Sequence, residues 1–544
     1  MKIKTILPIA CLFFLLSSVS AVFAQDDSYR NFLNNKEQYM VPLADLLAET
    51  EKDLGITIQQ GKTLEAGSDK KVVMAPWKFW DDPEIRLAYI LAPCGLTFEK
   101  VGEKTYRIVE PAAPTAAGPR PFLELLTEIE KELGITVQHG RGLNRYFDRK
   151  ISVTQWNAQK DPEIRLAFLL APLDLTFEKV GEKTFRAYEP WYYMRPETEA
   201  KAHLDRLSRQ YSTKELWETR RSTLKSTIMK KFHLDPVPRE VLNANVSEKR
   251  VYDGYSVRNV ALEILPGYFA NGNLYEPLTE GKHPIVLCPH GHGALGRFGD
   301  DQQIRAAVLA RMGAVTFTYS MFAWRAEESP LPTSAHDDTI SGMMQTLHTI
   351  RSLDWLVTLP NVDPNKIGIT GASGGGTQTF LGTAVDPRIT VSVPVVMVSS
   401  HFFGGCPCES GIPFHVLHGC TCNTEVAAMA APRPMKLIAV TQDWTKNTPE
   451  AEFPYIQKIY DFYGAKENVE FEIFNEKHDY GATKRKAMYP FMAKHLGLDM
   501  TQADETKAVV EPMDTMLYWG PKHVNYPKNA VQTLDDLKKV FFTK

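Results

Sequence analysis

The stretch Gly371-Ala372-Ser373-Gly374-Gly375 constrains this chain more than any other. The apolar run Ile367-Gly368-Ile369-Thr370 before it reads as a buried parallel strand, and Thr377-Gln378-Thr379-Phe380-Leu381 after it can open a helix. A sharp strand-to-helix turn accepts only small neighbours around its central residue, because the backbone there is strained and side chains would collide. The glycines meet that demand and leave the Ser373 hydroxyl projecting above the sheet. A glycine-rich turn with an incidental serine is the plainer reading, so the weight falls on what accompanies it.

The companions come in a telling order. His283-Pro284-Ile285-Val286-Leu287-Cys288 is a second buried-strand pattern and leads into Pro289-His290-Gly291-His292-Gly293. Met435 to Val440 is another strand, with Asp443 past its end, and Val469 to Phe474 another, with His478 in the loop behind it. Serine, aspartate and histidine in that order, each beyond a strand's carboxyl end, is the arrangement of an α/β-hydrolase. A serine hydroxyl is a weak nucleophile until an imidazole takes its proton, and a carboxylate fixes that imidazole's tautomer. Ser373 is therefore expected as nucleophile, His478 as general base and then acid, and Asp443 as the orienting acid, with Glu409 and Glu425 as rival acids. The oxyanion would meet backbone N–H groups of Gly374 and of the loop His290, Gly291, His292 and Gly293, which His290 and His292 shape. His336, His348, His401, His415 and His418 receive no role from their context.

From about Val246 to Leu498 these residues resemble the carbohydrate-esterase branch of the α/β-hydrolases: acetylxylan esterase-like proteins, related to glucuronoyl esterases and pectin methylesterases. The matching segments are Pro289-His290-Gly291-His292-Gly293, Leu353-Asp354-Trp355-Leu356, Gly371 to Gly376, Asp386-Pro387-Arg388, Cys408-Glu409, Ala431-Pro432-Arg433-Pro434, Asp443-Trp444-Thr445 and His478-Asp479-Tyr480. Glucuronoyl esterases carry a Cys, an Arg and a Lys around their serine, where this chain has Ala372, Gly374 and Thr377. The departure weighs against a glucuronate ester as substrate.

The amino-terminal third is a duplication. Leu54-Gly55-Ile56-Thr57, Asp82 to Ala88 and Phe98 to Thr105 recur at Leu133, Asp161 and Phe177, at a constant offset of 79 residues. Each copy reads helix, strand, strand, helix, strand, strand, and Pro111 to Pro119 forms a short, fairly stiff linker. This order resembles the short amino-terminal domain of secretins and TonB-dependent receptors, a small α+β module that docks to other proteins. Structural spacers, or walls lengthening a polysaccharide groove, are the alternatives.

The chain of 544 residues is too long for one core. The fold class expected is α/β: a mainly parallel α/β-hydrolase sheet preceded by two small α+β repeats. Residues 1–24 read as a signal peptide, with Lys2 and Lys4 ahead of the apolar run Ile6 to Val19 and a small-residue cleavage site at Ala24. The repeats span 41–110 and 121–190, a helical connector 191–243, the catalytic domain 244–500 and a surface tail 501–544. A periplasmic or secreted product follows, with no membrane span after signal removal. Without the two signal lysines, 60 basic residues face 65 acidic ones, and no basic stripe suggests nucleic acid.

Cys406, Cys408, Cys420 and Cys422 form two C-x-C pairs that resemble a zinc knot. Thiolate metal sites more often use two-residue spacers, and an exported chain meets an oxidising compartment, so disulfides of undetermined pairing are expected. The mechanism itself calls for no cofactor and no metal. The expected activity is serine carboxylester hydrolysis on plant cell-wall polysaccharide. Acetyl removal would need a small acyl slot, and methyl removal from a uronate would need cations such as Arg297, Arg325 and Lys446 to hold neighbouring carboxylates. Those cations could equally pair internally, Arg325 with Glu327 or Glu328. A pectin methylesterase, a non-catalytic polysaccharide- or protein-binding protein and a serine peptidase are the other readings.

Overall fold

A computed structural model of the chain describes residues 40–59, 70–73, 80, 82–111, 118–140, 143–152, 159–188, 197–235, 243–410, 415, 421–521 and 524–543. The expected signal peptide, most of the Pro111 to Pro119 linker, His418 and Cys420 lie outside the described residues. Two compact units divide the chain, the first holding both repeats and the second beginning with the helix Glu197–Gln210.

In the first unit the copies form the same elements at the same offset. The helices Leu43–Leu54 and Phe122–Leu133 each end on a glycine in the left-handed region, Gly55 at φ 61° and Gly134 at φ 62°, which satisfies a terminal carbonyl without a Cβ clash. The second helices, Pro83–Leu91 and Pro162–Leu170, start at an aspartate whose Oδ1 accepts two backbone N–H groups and continue with proline at the first turn. In each copy the last strand lies between two others: Thr105–Val109 pairs in parallel with Thr57–Gln59 and antiparallel with Thr97–Gly102, and Thr184–Tyr188 does the same with Thr136–His139 and Thr176–Gly181. A short leading strand, Met40–Pro42 or Arg120–Pro121, precedes each first helix and was not visible in the sequence pattern. The copies pack through their second helices, with Phe98 stacked on Phe168 at 6.0 Å and Trp80 on Phe177 at 5.0 Å between ring centroids.

The second unit is built on one ten-stranded sheet: β1 Asn243–Val246, β2 Arg250–Val251, β3 Tyr255–Leu265, β4 Tyr268–Pro277, β5 His283–Leu287, β6 Val315–Tyr319, β7 Val362–Ala372, β8 Val391–Val395, β9 Met435–Val440 and β10 Val469–Phe474. The spatial order is β1-β3-β4-β6-β5-β7-β8-β9-β10, with β2 also on β3. Strands β5 to β10 are parallel, whereas β1 to β4 join antiparallel at one edge. Helices cover both faces, so central strands such as β5 and β8 are buried along their whole length, whereas the edge strand β10 alternates glutamates with apolar residues. Along β5, Ile285 and Leu287 enter one core while Val286 and Cys288 enter the core on the opposite face. The helix Ala482–Leu496 packs so closely on β7 that a Cβ on Gly368 would lie 2.9 Å from Leu496 Cδ1. Strand β8 is shorter than the Val391 to Val398 run predicts, because Val396 turns to φ 47°. The loops after β5, β7, β9 and β10 therefore meet at one edge of the sheet.

Removing either cap, Asp82→Ala or Asp161→Ala, should destabilise its helix by about 1 kcal/mol and speed amide exchange there about fivefold. Hydrogen exchange resolved to the two second helices measures this, and unchanged exchange would refute the capping account.

Candidate active site

Ser373 sits between the end of β7 and the helix Gly374–Val385 at φ 55° and ψ −125°. A serine in that region costs about 1–3 kcal/mol and persists only where the surroundings over-determine it. Here its N–H donates to the Val395 carbonyl at 3.2 Å, and a carbonyl from the neighbouring loop presses on the turn. A Cβ at Gly371 would lie 2.5 Å from Pro289 O, and one at Gly375 would lie 2.4 Å from the same atom. The N–H groups that open the following helix have no intrahelical acceptor, so positive potential collects beside the hydroxyl.

A cavity of about 740 Å³ has Gly291, His292, Ser373, His478, Asp479 and Tyr480 among its walls. His478 Nδ1 donates to Asp443 Oδ2 at 2.7 Å, and the Asp443 side chain is only 2% exposed. The other Asp443 oxygen accepts the Thr445 N–H and hydroxyl, each at 2.6 Å. The carboxylate is therefore held rigidly, and the imidazole keeps Nε2 free to take a proton. Two further contacts place the His478 loop. The buried Lys484 ammonium bridges Glu476 and Asp479, on either side of His478, at 2.7 Å each. The Tyr480 hydroxyl meets Thr370 Oγ1 of β7 at 2.6 Å, three residues before Ser373. Trp444 packs its ring on His478, with centroids 4.4 Å apart.

The two rival acids separate cleanly. Glu425 is buried in a bidentate pair with Arg220 and accepts from Tyr211, away from the cavity walls. Glu409 is at the serine: Ser373 Oγ donates to its Oε1 at 3.4 Å, and His292 Nδ1 approaches the same oxygen at 3.0 Å. Its Oε2 accepts the Gly405 N–H at 2.7 Å. In this resting geometry the hydroxyl is engaged with Glu409 rather than with His478. His290 faces away from the cavity. Its Nε2 accepts the Met321 N–H at 3.0 Å, and its Nδ1–H donates to the Gly291 carbonyl at 2.8 Å. Burial pushes its pKa down to about 3, so a neutral ring braces the loop.

The expected substrate cations are spent elsewhere. Arg297 is fully buried, donating to Glu328 at 2.5 Å, to Ser320 and to Asn273. Burying that charge demands an internal partner, which removes Arg297 from the substrate side. Arg325 pairs with Glu327 at 3.1 Å and donates to the Ala294 carbonyl, and Lys446 pairs with Glu197 at 2.9 Å. The expected disulfides are likewise absent among the described cysteines. Cys406 and Cys408 are free thiols, and their sulfurs stand 3.0 Å apart, well beyond a disulfide bond of about 2.05 Å. Sequence reasoning missed the gathering of His336, Cys406 and Cys408 around His292, which only the fold brings together. The Cys406-Pro407-Cys408-Glu409 run and the distant His290-Gly291-His292 loop were its faint signal.

Arg297→Met should cost about 3–5 kcal/mol by stranding Glu328, and Arg297→Met with Glu328→Gln should recover much of it. Thermal melts of the two variants decide. A stable Arg297→Met enzyme with only a raised KM would return this residue to substrate binding.

No family model matches the chain. The acetyl esterase Axe7A of Xylanibacter ruminicola is 23% identical over 169 residues, a stretch spanning 28% of this chain and 38% of that protein. A glucuronoyl esterase from Solibacter usitatus superposes with a TM-score of 0.40 at 14% identity, over 52% of this chain and 94% of its own. The methylesterase BT1017 superposes with a TM-score of 0.65 at 36% identity, over 78% of this chain and 97% of its own. At that identity and coverage, this chain belongs to the same esterase family as the methylesterase BT1017.

Proposed function

We propose that this chain is an exported serine carboxylesterase that removes ester substituents from plant cell-wall polysaccharide. The observation that carries the reading is that His478, held by Asp443, lines the same cavity as the strained Ser373. Ser373 attacks the ester carbonyl and His478 takes its proton. The N–H groups of Gly374 and of the Gly291–Gly293 loop hold the tetrahedral oxyanion, and water releases the acyl-enzyme through His478. Export rests on the leader at residues 1–24, and the repeats are read as docking modules or spacers.

Methyl esters of uronates are the favoured substrate. The methylesterase is 36% identical where it superposes, whereas the acetyl esterase is 23% identical where its sequence aligns. The three cations considered for neighbouring carboxylates are paired internally, and Asp300, Asp301 and Asp479 stand in the cavity wall. Such a wall suits neutral, fully esterified stretches and repels free carboxylates.

Incubation with methylated pectin and with acetylated xylan, followed by assay of methanol and acetate, tests the reading. Methanol is expected from pectin, at a rate that declines as de-esterification proceeds and declines less at high salt, where repulsion is screened. Acetate without methanol would sink the methyl assignment, and neither product would leave the binding-protein reading. Ser373→Ala should reduce turnover by at least about a thousandfold and Asp443→Asn by about ten-thousandfold, with intact folding by circular dichroism. Undiminished hydrolysis by Ser373→Ala would place the nucleophile elsewhere.

A further inference from the structure

Beside the serine lies a second cluster with its own chemistry. The Nε2 atoms of His292 and His336 are 3.1 Å apart, and the sulfurs of Cys406 and Cys408 are 3.0 Å apart. Cys406 Sγ lies 3.3 Å from His292 Nε2 and 3.6 Å from His336 Nε2, and Cys408 Sγ lies 3.2 Å from His292 Nε2. All four ligand atoms fall within 4.8 Å of one another. Zinc bonds of about 2.0–2.3 Å put the corners of a tetrahedral site about 3.3–3.8 Å apart, and the five separations above, 3.0–3.6 Å, fall at or just inside that frame.

The outer hydrogen bonds supply a second, independent argument. His336 Nδ1 meets the Phe322 carbonyl at 2.6 Å, a group that can only accept, so that nitrogen carries the proton. His292 Nδ1 meets Glu409 Oε1 at 3.0 Å, a carboxylate that sets the same tautomer. Both Nε2 atoms then present bare lone pairs to each other and to two sulfurs. Converging donors at such distances need protons or a cation between them, and a single metal ion would satisfy all four at once. A ring whose outer N–H is anchored by carboxylate or carbonyl is also how protein zinc ligands are oriented.

We propose that His292, His336, Cys406 and Cys408 bind one zinc ion in a closed tetrahedral site that holds the loop after β5 and Glu409 against Ser373. Two imidazoles and two thiolates match zinc, and with every corner taken by protein the ion has no open position for a water. The ligands come from three separate segments: the loop after β5, the turn Thr333–Asp337, and the start of the short helix Pro407–Ser410, with Cys406 just ahead of it and Cys408 within it. Glu409 follows directly on Cys408 and reaches both His292 and the Ser373 hydroxyl, so the ion is one residue from the serine's resting partner. The ligand set stands on geometry alone, whereas its effect on turnover rests on the esterase reading.

The full-length protein, purified under reducing conditions, should carry one zinc per chain by elemental mass spectrometry. Cobalt exchanged into it should give the visible bands of a tetrahedral ion together with thiolate-to-cobalt charge transfer. A chelator added to the wild type should release the zinc and expose Cys406 and Cys408 to a thiol reagent. That measurement needs no variant and so survives any folding defect. Cys408→Ser and His336→Ala should bring the content below about a tenth of an equivalent, and Glu409→Gln should weaken affinity about 10–100-fold. Ser373→Ala should abolish hydrolysis yet keep its zinc, which separates failure of this site from failure of the esterase reading. Zinc loss should lower kcat about tenfold or more while KM moves little. Wild-type protein that holds no zinc and takes up none on reconstitution would overturn the proposal. Peptide masses joining Cys406 to Cys408, or a shared proton between the two imidazoles seen by nuclear magnetic resonance in the metal-free native state at full activity, would also overturn it.

Discussion

The close approach of one carbonyl, Pro289 O, to two glycines of the serine turn is what the rest of the site hangs on. Because β5 and β7 are adjacent and parallel, their carboxyl-end loops must cross the same small volume. Any Cβ at Gly371 or Gly375 would fill it and push the loops apart. With glycine there, the loop after β5 lies on the turn, Ser373 is driven into a backbone region serine avoids, and the opening N–H groups of the next helix face the same space as the loop. The strain is borne by ten strands and two cores rather than by the turn itself.

Behind the cavity wall, the buried charges are handled by pairing. Asp443 accepts three hydrogen bonds, Glu328 faces Arg297, and Lys484 is shared between two carboxylates. Each arrangement immobilises a loop end while leaving little uncompensated charge in a region of low dielectric. The result is a rigid frame around a small number of groups whose protons can move.

Much of this was readable in the residues, and for a definable reason. The turn at Ser373, the loop positions of Asp443 and His478, and the 79-residue duplication are local patterns: small residues beside a strand, polar residues just past apolar runs, and repeated strings. What escaped depends on pairs far apart in the chain. Arg297 looks like any loop cation until Glu328 and Asn273 close around it. The four cysteines between 406 and 422 suggested pairing among themselves, whereas two of them turn to histidines more than sixty residues upstream. Glu409 could be named as a rival acid from sequence, but its contact with His292 needed the fold.

The way the two repeat copies meet carries a historical implication. Tyr89 reaches Thr176 while Phe168, its counterpart, stacks on Phe98, the residue next to the counterpart of Thr176. The two copies thus meet through overlapping patches, as in an isologous contact, except that Gln159 stands where the first copy has Trp80. A lone ancestral module would have carried both halves of that surface and could have paired with a sibling chain. Linking the two copies in one chain makes that pairing intramolecular and independent of protein concentration.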